Sequence, residues 1–558
     1  MDNAVRRVFL SWGLLVLPFI TLAQSIEVEI RRASEISRDP AIVEAQRLVG
    51  DVLLSVGEAE VVCDSAWRYP TGRFRLMGRV EATDGPAVLT GEVLELVPDS
   101  GLGRMTGREV KLVDSTDPRE PRTLITQRTT YDFRSGLARF GRGGVVTTET
   151  ERIESRSGWY DREAGTMEFN GAVRMSVDTV EVRSETVRYR PEGRRLDLPV
   201  EAEVMHPGGG IACSRGRWSM ASETGWFAGG DSSQARFRDG PLVVLADSLV
   251  MGDTLGLAYG EVVLRDTATT YRLVADTVRF NRADADGDIG SDVALQGNAV
   301  AWLYDGEDPL RVSAPEMDIA DGPDGRSLQA RLGTALHFGD VTAAADGLTW
   351  SEEAGRMNLE GHPVMWNGPD QLTGDSVRLF LSDGAPERLE VRGHAFVASP
   401  AGREFHHQLA GRDLDGLFAD GRLETLNMVG NGRTLYFAEP DTATEAQALA
   451  DSLALPLPQA NRAACTEIRM ALDSAGLQSI ALFSAPSGRF SDLAALDDHP
   501  LDGALDAAHL PGFVLRSRPD SAQRGSAAGA ESLPIVPWQA PPDSLRPSAE
   551  EPIVYSST

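Results

Sequence analysis

The stretch that decides the fold is Ile153–Val177, IESRSGWYDREAGTMEFNGAVRMSV. Its second half alternates. Met167, Phe169, Val173, Met175 and Val177 share one parity, while Glu168, Asn170, Arg174 and Ser176 share the other. A period of two marks a strand with one buried face. Upstream, Tyr160-Asp161 leads into a polar turn closed by Gly165, so the chain reads strand, tight turn, strand, with Gly171 partway along the return.

This hairpin recurs. In the segment from Cys63 to Val80, Gly72 and Gly78 repeat the spacing of Gly165 and Gly171. Gly101 with Gly107, Gly136 with Gly143, Gly355 with Gly361, and Gly384 with Gly393 mark further copies. The turn glycines Gly72, Gly101, Gly136, Gly165 and Gly193 fall about thirty residues apart, a period typical of stacked repeats. A unit of that size cannot bury its own apolar face, so the units must stack. The expected fold is therefore all-β, built of stacked antiparallel hairpin repeats.

A second landmark is an Asp-Ser or Asp-Thr pair inside a strand: Asp64-Ser65, Asp247-Ser248, Asp276-Thr277 and Asp375-Ser376. Apolar parity flips around such pairs, as between Leu273, Ala275 and Val278, Phe280. The pair reads as a corner, where a short polar side chain bonds backbone that the bent ladder leaves unsatisfied. On that reading Asp276 or Asp375 to Leu costs the stability of an orphaned buried group.

Residues 1–23 carry Arg6 and Arg7, an apolar run from Val8 to Leu22 and a Thr21-Leu22-Ala23 ending, the pattern of a secretory signal peptide. The chain of 558 residues has a formal net charge of −29, with Lys111 its single lysine, which excludes simple electrostatic binding of nucleic acid. Aromatic residues make up only 6% of the sequence, too few for the two interfacial girdles of a transmembrane barrel. Three cysteines, Cys63, Cys213 and Cys465, are an odd number for an exported protein. They read as small buried residues, with a pair between Cys63 and Cys213 as the alternative.

Sought catalytic patterns are missing: the sequence has no nucleophile elbow, P-loop or paired C-x-x-C. Asp284, Asp286 and Asp288 resemble a short calcium loop but lack its closing acid. His406 and His407 are adjacent on a strand, so they point to opposite faces and do not share one metal. A non-enzymatic protein with no cofactor is expected. The chain past Pro519 is rich in Pro, Ser, Ala and Glu, a composition that cannot bury enough surface to fold. A lead-in strand at Leu48–Val56 and the strands at Leu423–Tyr436 are the expected free edges, with a terminal segment from Cys465 to Pro519 folded back as a cap as the alternative.

LVGDV from Leu48, CDSAW from Cys63, LTGEVLEL from Leu89 and GWYDREAGTMEFNGAV from Gly158 resemble the OstA-like family. These are proteins of lipopolysaccharide transport to the outer membrane, related to the periplasmic bridge protein and to the N-terminal domain of the outer-membrane translocon. The end of the chain resembles the long Bacteroidetes-type form. Gly411, Leu414, Gly416 and Phe418 match its G-x-x-I-x-G-x-F, and Gly430-Asn431-Gly432 with Tyr436 and Glu439 match its G-N-G and Y-x-x-E. Gly512-Phe513 and Arg516 to Pro519 resemble its closing G-F-x-W-R and R-P, with Leu515 where Trp is usual.

The resemblance, over residues 42–519, implies an elongated open β-jelly-roll: two twisted sheets folded over an apolar groove that shields lipid A acyl chains. It divides the chain into a signal peptide at 1–23, jelly-roll repeats at 42–400, a C-terminal β region at 401–519 and a disordered tail at 520–558. The implied role is a periplasmic carrier or bridge that supports outer-membrane assembly. Its partners would be lipopolysaccharide and the inner- and outer-membrane transport components, together with head-to-tail self-association and a place at the outer membrane. The groove residues would be Met167, Phe169, Val173 and Met175. The competing expectation is a structural β-repeat scaffold of the envelope, its interior filled by its own core and without lipid cargo.

Overall fold

The computed structural model describes residues 26–38, 45–252, 254–266, 271–281, 292–303, 310–322, 325–382, 385–401, 405–420, 422–438, 459–473, 476–484, 486–492 and 509–519. The leader at 1–23, the Asp284, Asp286 and Asp288 loop, Gly384, residues 441–458 and the tail at 520–558 lie outside them. Every regular element among the described residues is a β-strand. The chain forms two compact units, residues 1–192 and 193–558.

Within the first unit the long strands are bent in the middle and serve two ladders. Gln46–Val56 and Ala59–Arg68 pair through Val52–Val56 and Ala59–Cys63 on one side of the bend, and through Gln46–Val49 and Ser65–Arg68 on the other. Phe74–Asp84, Ala87–Val97, Leu102–Asp114 and Arg122–Asp132 continue both ladders, each with a register shift at the bend. Where the bend sharpens, the strand breaks into two short ones, as at Glu151–Ser155 and Ser157–Asp161. Both halves then pair with the single strand Thr166–Val177. Hairpin follows hairpin, all antiparallel, and this is the expected β-jelly-roll.

The bend is built by two residues opposing one. Gly50 and Asp51 stand against Asp64, so the register moves from Val49↔Ser65 to Val52↔Cys63. The strand with the extra residue carries a left-handed Gly-X pair, such as Gly78 and Arg79 at φ +75 and +40. It keeps its buried parity, from Phe74 and Leu76 to Val80 and Ala82. Its neighbour, one residue short, flips parity, from Val61 and Cys63 to Ala66. A bulge that adds one residue to one strand requires this difference.

The aspartates expected at corners do stand there, but their carboxylates do not serve the bent backbone as expected. Each lies over the left-handed glycine of the next strand, and Asp64, Asp276 and Asp375 bind the side chain after it, whereas Asp247 is bonded by Gln234. Arg79 donates to Asp64 at 2.7 Å and Asn298 to Asp276 at 3.0 Å, and His394 Nδ1 is 2.9 Å from Asp375. At four bends a backbone carbonyl is instead satisfied by the side chain one place earlier. Cys63 Sγ donates to the Ser65 carbonyl, Ser155 Oγ to Ser157, Ser184 Oγ to Thr186, and Cys465 Sγ to Glu467, over 3.0–3.3 Å. That place inside the bend admits only small side chains; Cys213, Ala246, Ala275 and Ala345 fill it elsewhere.

This placement accounts for the cysteines. All three are free and buried, each at a bend. Burial pushes the Cys63 thiol up to about 11 and the Cys213 thiol up to about 12.

The second unit repeats the two-ladder plan. Leu255–Asp266, Tyr271–Asn281 and Asp292–Leu303 are bent strands joined on both sides of their register shifts. The expected free edges are both occupied. Gln46–Val56 is covered by Val28–Arg32 and Glu35–Arg38, and Arg422–Ala438 pairs with Gln459–Asp473. The polar residues ahead of Leu48 hid the two covering strands, which are mostly exposed and show no apolar alternation.

Candidate functional site

The strand Thr166–Val177 places Met167, Phe169, Val173 and Met175 on the inner face of the first unit, each no more than 2% exposed. Opposite parity faces out: Arg174 is exposed, and Glu168 accepts from Arg188 at 2.7 Å. The sequence therefore identified the apolar face correctly. Phe169 packs against Phe140, ring centres 6.5 Å apart. Met167 and Phe169, from one ladder, face Leu112, Leu124 and Val146 of the other, leaving about 10 Å³ of space between them.

Along the rim opposite the bend, the two ladders are joined by tyrosines. Tyr131 donates its hydroxyl to Asp84 at 2.6 Å; Tyr160 donates to Asp114, and Tyr189 to Glu151. Tyr131, Tyr160 and Tyr189 recur every 29 residues, each at the far end of its half-strand. Arg162 donates to Asp84 at 3.1 Å and to its carbonyl at 2.7 Å, and Arg122 to Glu151 at 2.9 Å. Burial, then the carboxylate each one faces, pushes the Tyr131 and Tyr160 hydroxyls well above the usual phenol range. They stay protonated, as donors must.

No motif in the sequence marks this row. The 29-residue recurrence of an inward Tyr was the available signal; its acidic partners lie 38 to 47 residues away and had none.

Residues 25–185 match the family model described as OstA-like protein. This stretch is similar to the OstA-like family. It covers the inner face and most of the tyrosine row, beginning ahead of, and ending well before, the span over which motifs resemble the family. No curated relative matches the chain. Among solved structures, the chain is similar to LptH of Pseudomonas aeruginosa, described as the LptA homologous periplasmic component of the conserved lipopolysaccharide transport device. Identity there is 12%, over 27% of this chain and 96% of that one, with a TM-score of 0.20.

Beyond the OstA-like stretch, the second unit has a layer buried on both faces. Val341–Ala345, Val364–Asn367 and Phe396–Pro400 lose the period-two pattern, with runs such as Val364, Met365 and Trp366 buried in succession. Their outer face is covered by the segment His509–Pro519. Leu510 enters a cluster with Phe396, Ala410, Leu435 and Phe437, and Phe513 stacks on His509. Buried Gln371 donates to the Val514 carbonyl and accepts from Arg516 N, both at 2.7 Å, while Gln408 accepts from Leu510 N at 2.7 Å. Arg518 closes the strap on Thr342 at 2.8 Å. Leu515 is half exposed, so it fills no pocket here.

The paired histidines separate as expected. His406 packs on Phe513, and His407 lies flat on Tyr436 at 4.4 Å. Among the described residues, no three His, Cys, Asp or Glu side chains are placed to hold a metal ion. No described helix is long and apolar enough to cross a membrane.

Proposed function

We propose that this protein is a periplasmic carrier or bridge of lipopolysaccharide transport, shielding acyl chains in its interior on the way to the outer membrane. The observation that carries the proposal is the inner face of the OstA-like stretch, where Met167, Phe169, Val173 and Met175 line the space between two ladders. The chemistry suits the cargo: each buried CH₂ contributes about 0.8 kcal/mol, and flexible Met and flat Phe accept chains of varied shape. The present interior is filled by its own side chains, so cargo requires the ladders to part. The bend resists that less than a closed barrel would, because the ladders share only the strands that cross it.

A photoreactive side chain at Phe169 or Met175 should crosslink lipopolysaccharide in cells, and one at Glu168 or Arg174 should not. Equal labelling on both parities, or labelling of protein alone, would reject the carrier and leave a β-scaffold whose interior is only core. Inner- and outer-membrane transport components are the partners this role requires, and head-to-tail self-association would extend the path.

A further inference from the structure

The bend joins the two ladders of the first unit along one side through covalent chain. On the other side they are held by side chains, prominently the Tyr131–Asp84, Tyr160–Asp114 and Tyr189–Glu151 bonds. We propose that this tyrosine–carboxylate row is a lateral door, and that an acyl chain enters the OstA-like interior by parting it rather than by threading from an end. The inference rests on the carrier reading above.

Three features support a door over a permanent clasp. Each contact is one hydroxyl on one carboxylate, and the phenol can exchange its acceptor for water as it swings outward, whereas the bend can only flex. The contacts recur with the repeat, so they can open one at a time ahead of an advancing chain instead of all together. Immediately inside lie Leu112, Leu124, Met167 and Phe169, so a chain passing between Tyr160 and Asp114 meets apolar surface at once. The row's polar groups, with the Arg122–Glu151 and Arg162–Asp84 pairs among them, stay at the rim, which suits an amphiphile whose polar head remains outside while its chains enter.

The test bridges the door. In the full-length mature protein, Tyr160→Cys with Asp114→Cys is joined by a short bismaleimide, and a photoreactive residue at Phe169 reports capture of purified lipopolysaccharide. Buried Cys63, Cys213 and Cys465 do not compete for the reagent in the folded protein. The control carries the same linker between Glu168→Cys and Arg188→Cys, which are cross-strand neighbours on the outer face of one ladder.

Bridging the row should reduce labelling to background while the control bridge leaves it unchanged. Undiminished labelling of the row-bridged protein would overturn the door and leave the carrier standing. Absence of labelling in the unbridged protein would instead overturn the carrier reading, and the door with it. A second variant, Tyr131→Phe with Tyr160→Phe and Tyr189→Phe, keeps the rings and removes the hydroxyls. It should take up lipopolysaccharide faster than the native protein, and an unchanged rate would show that the hydroxyls latch nothing.

Discussion

Asp64 lies directly over Gly78: a β-carbon on that glycine would stand 2.4 Å from the Asp64 Oδ2. The same relation joins Asp247 to Gly260, Asp276 to Gly297, Asp346 to Gly361 and Asp375 to Gly393. Glycine at these bends is required twice, once by φ and once by the neighbouring carboxylate. Gly78→Ala should therefore destabilise by about 1–3 kcal/mol, the cost of a non-glycine residue held left-handed. Adding Asp64→Ala should restore only the part due to the collision. Urea midpoints of the two variants decide it, and a Gly78→Ala midpoint equal to that of the native protein would refute the device.

The carboxylate itself matters less than the corner reading supposed. Asp64 and Asp375 side chains are 47% and 63% exposed, and their partners Arg79 and His394 are more so. An exposed pair of this kind contributes about 0–1 kcal/mol. Asp375→Ala should shift the melting temperature little, whereas the small residue before the corner should tolerate little change. Cys63→Ser keeps the donor to Ser65 and should be near neutral; Cys63→Leu should cost about 1–3 kcal/mol by overpacking the inside of the bend. Thiol labelling should be negligible in the folded protein and complete in urea.

The strap predicts a distant effect. Leu510→Ala empties a buried site in the second unit and should cost about 2–5 kcal/mol if the cavity does not collapse. Gln371→Ala removes the partner of both Val514 and Arg516 and should release the same segment. Limited tryptic proteolysis after Arg516 reads both: protected in the native protein, cut in either variant. Cleavage there in the native protein would mean that the strap does not hold.

What the sequence made legible follows from periodicity. Met167 to Val177 alternate because one face is buried, so their inward parity was readable without a structure. The corners were readable in place but not in mechanism, since Asp64 is the conspicuous residue while the bond is made by Cys63, which looks like ordinary core. Phe396, Val397 and Ala398 spell out a strand buried on both sides. Only the fold shows that the second cover is Leu510 and Phe513, more than a hundred residues away. The tyrosine row needed both ladders in place, because Tyr131 and Asp84 sit on non-adjacent strands.

A last expectation concerns acid. His407 is buried, and that burial, with the adjacent His406 charge, lowers its pKa from the ordinary 6.5. Its Nδ1 accepts from Phe437 N at 3.2 Å, which requires the neutral ring with that nitrogen unprotonated. The unfolded chain then binds this proton more readily than the folded one. The contribution of His407 to stability is complete above about 6.5 and falls as the pH drops toward the folded pKa. Asp370 lines the same interior and runs the other way. Burial raises its pKa against the hydrogen bond from Ser399, so its contribution is complete below its ordinary value of 3.8 and fades as the pH rises through the folded pKa. The two windows separate by variant. His407→Gln keeps an acceptor for Phe437 N and should flatten the loss of stability just below pH 6.5, as urea midpoints across the pH series would report. Asp370→Asn should leave that loss in place and change the profile at lower pH. If His407→Gln retained the native slope below 6.5, another group would carry the titration.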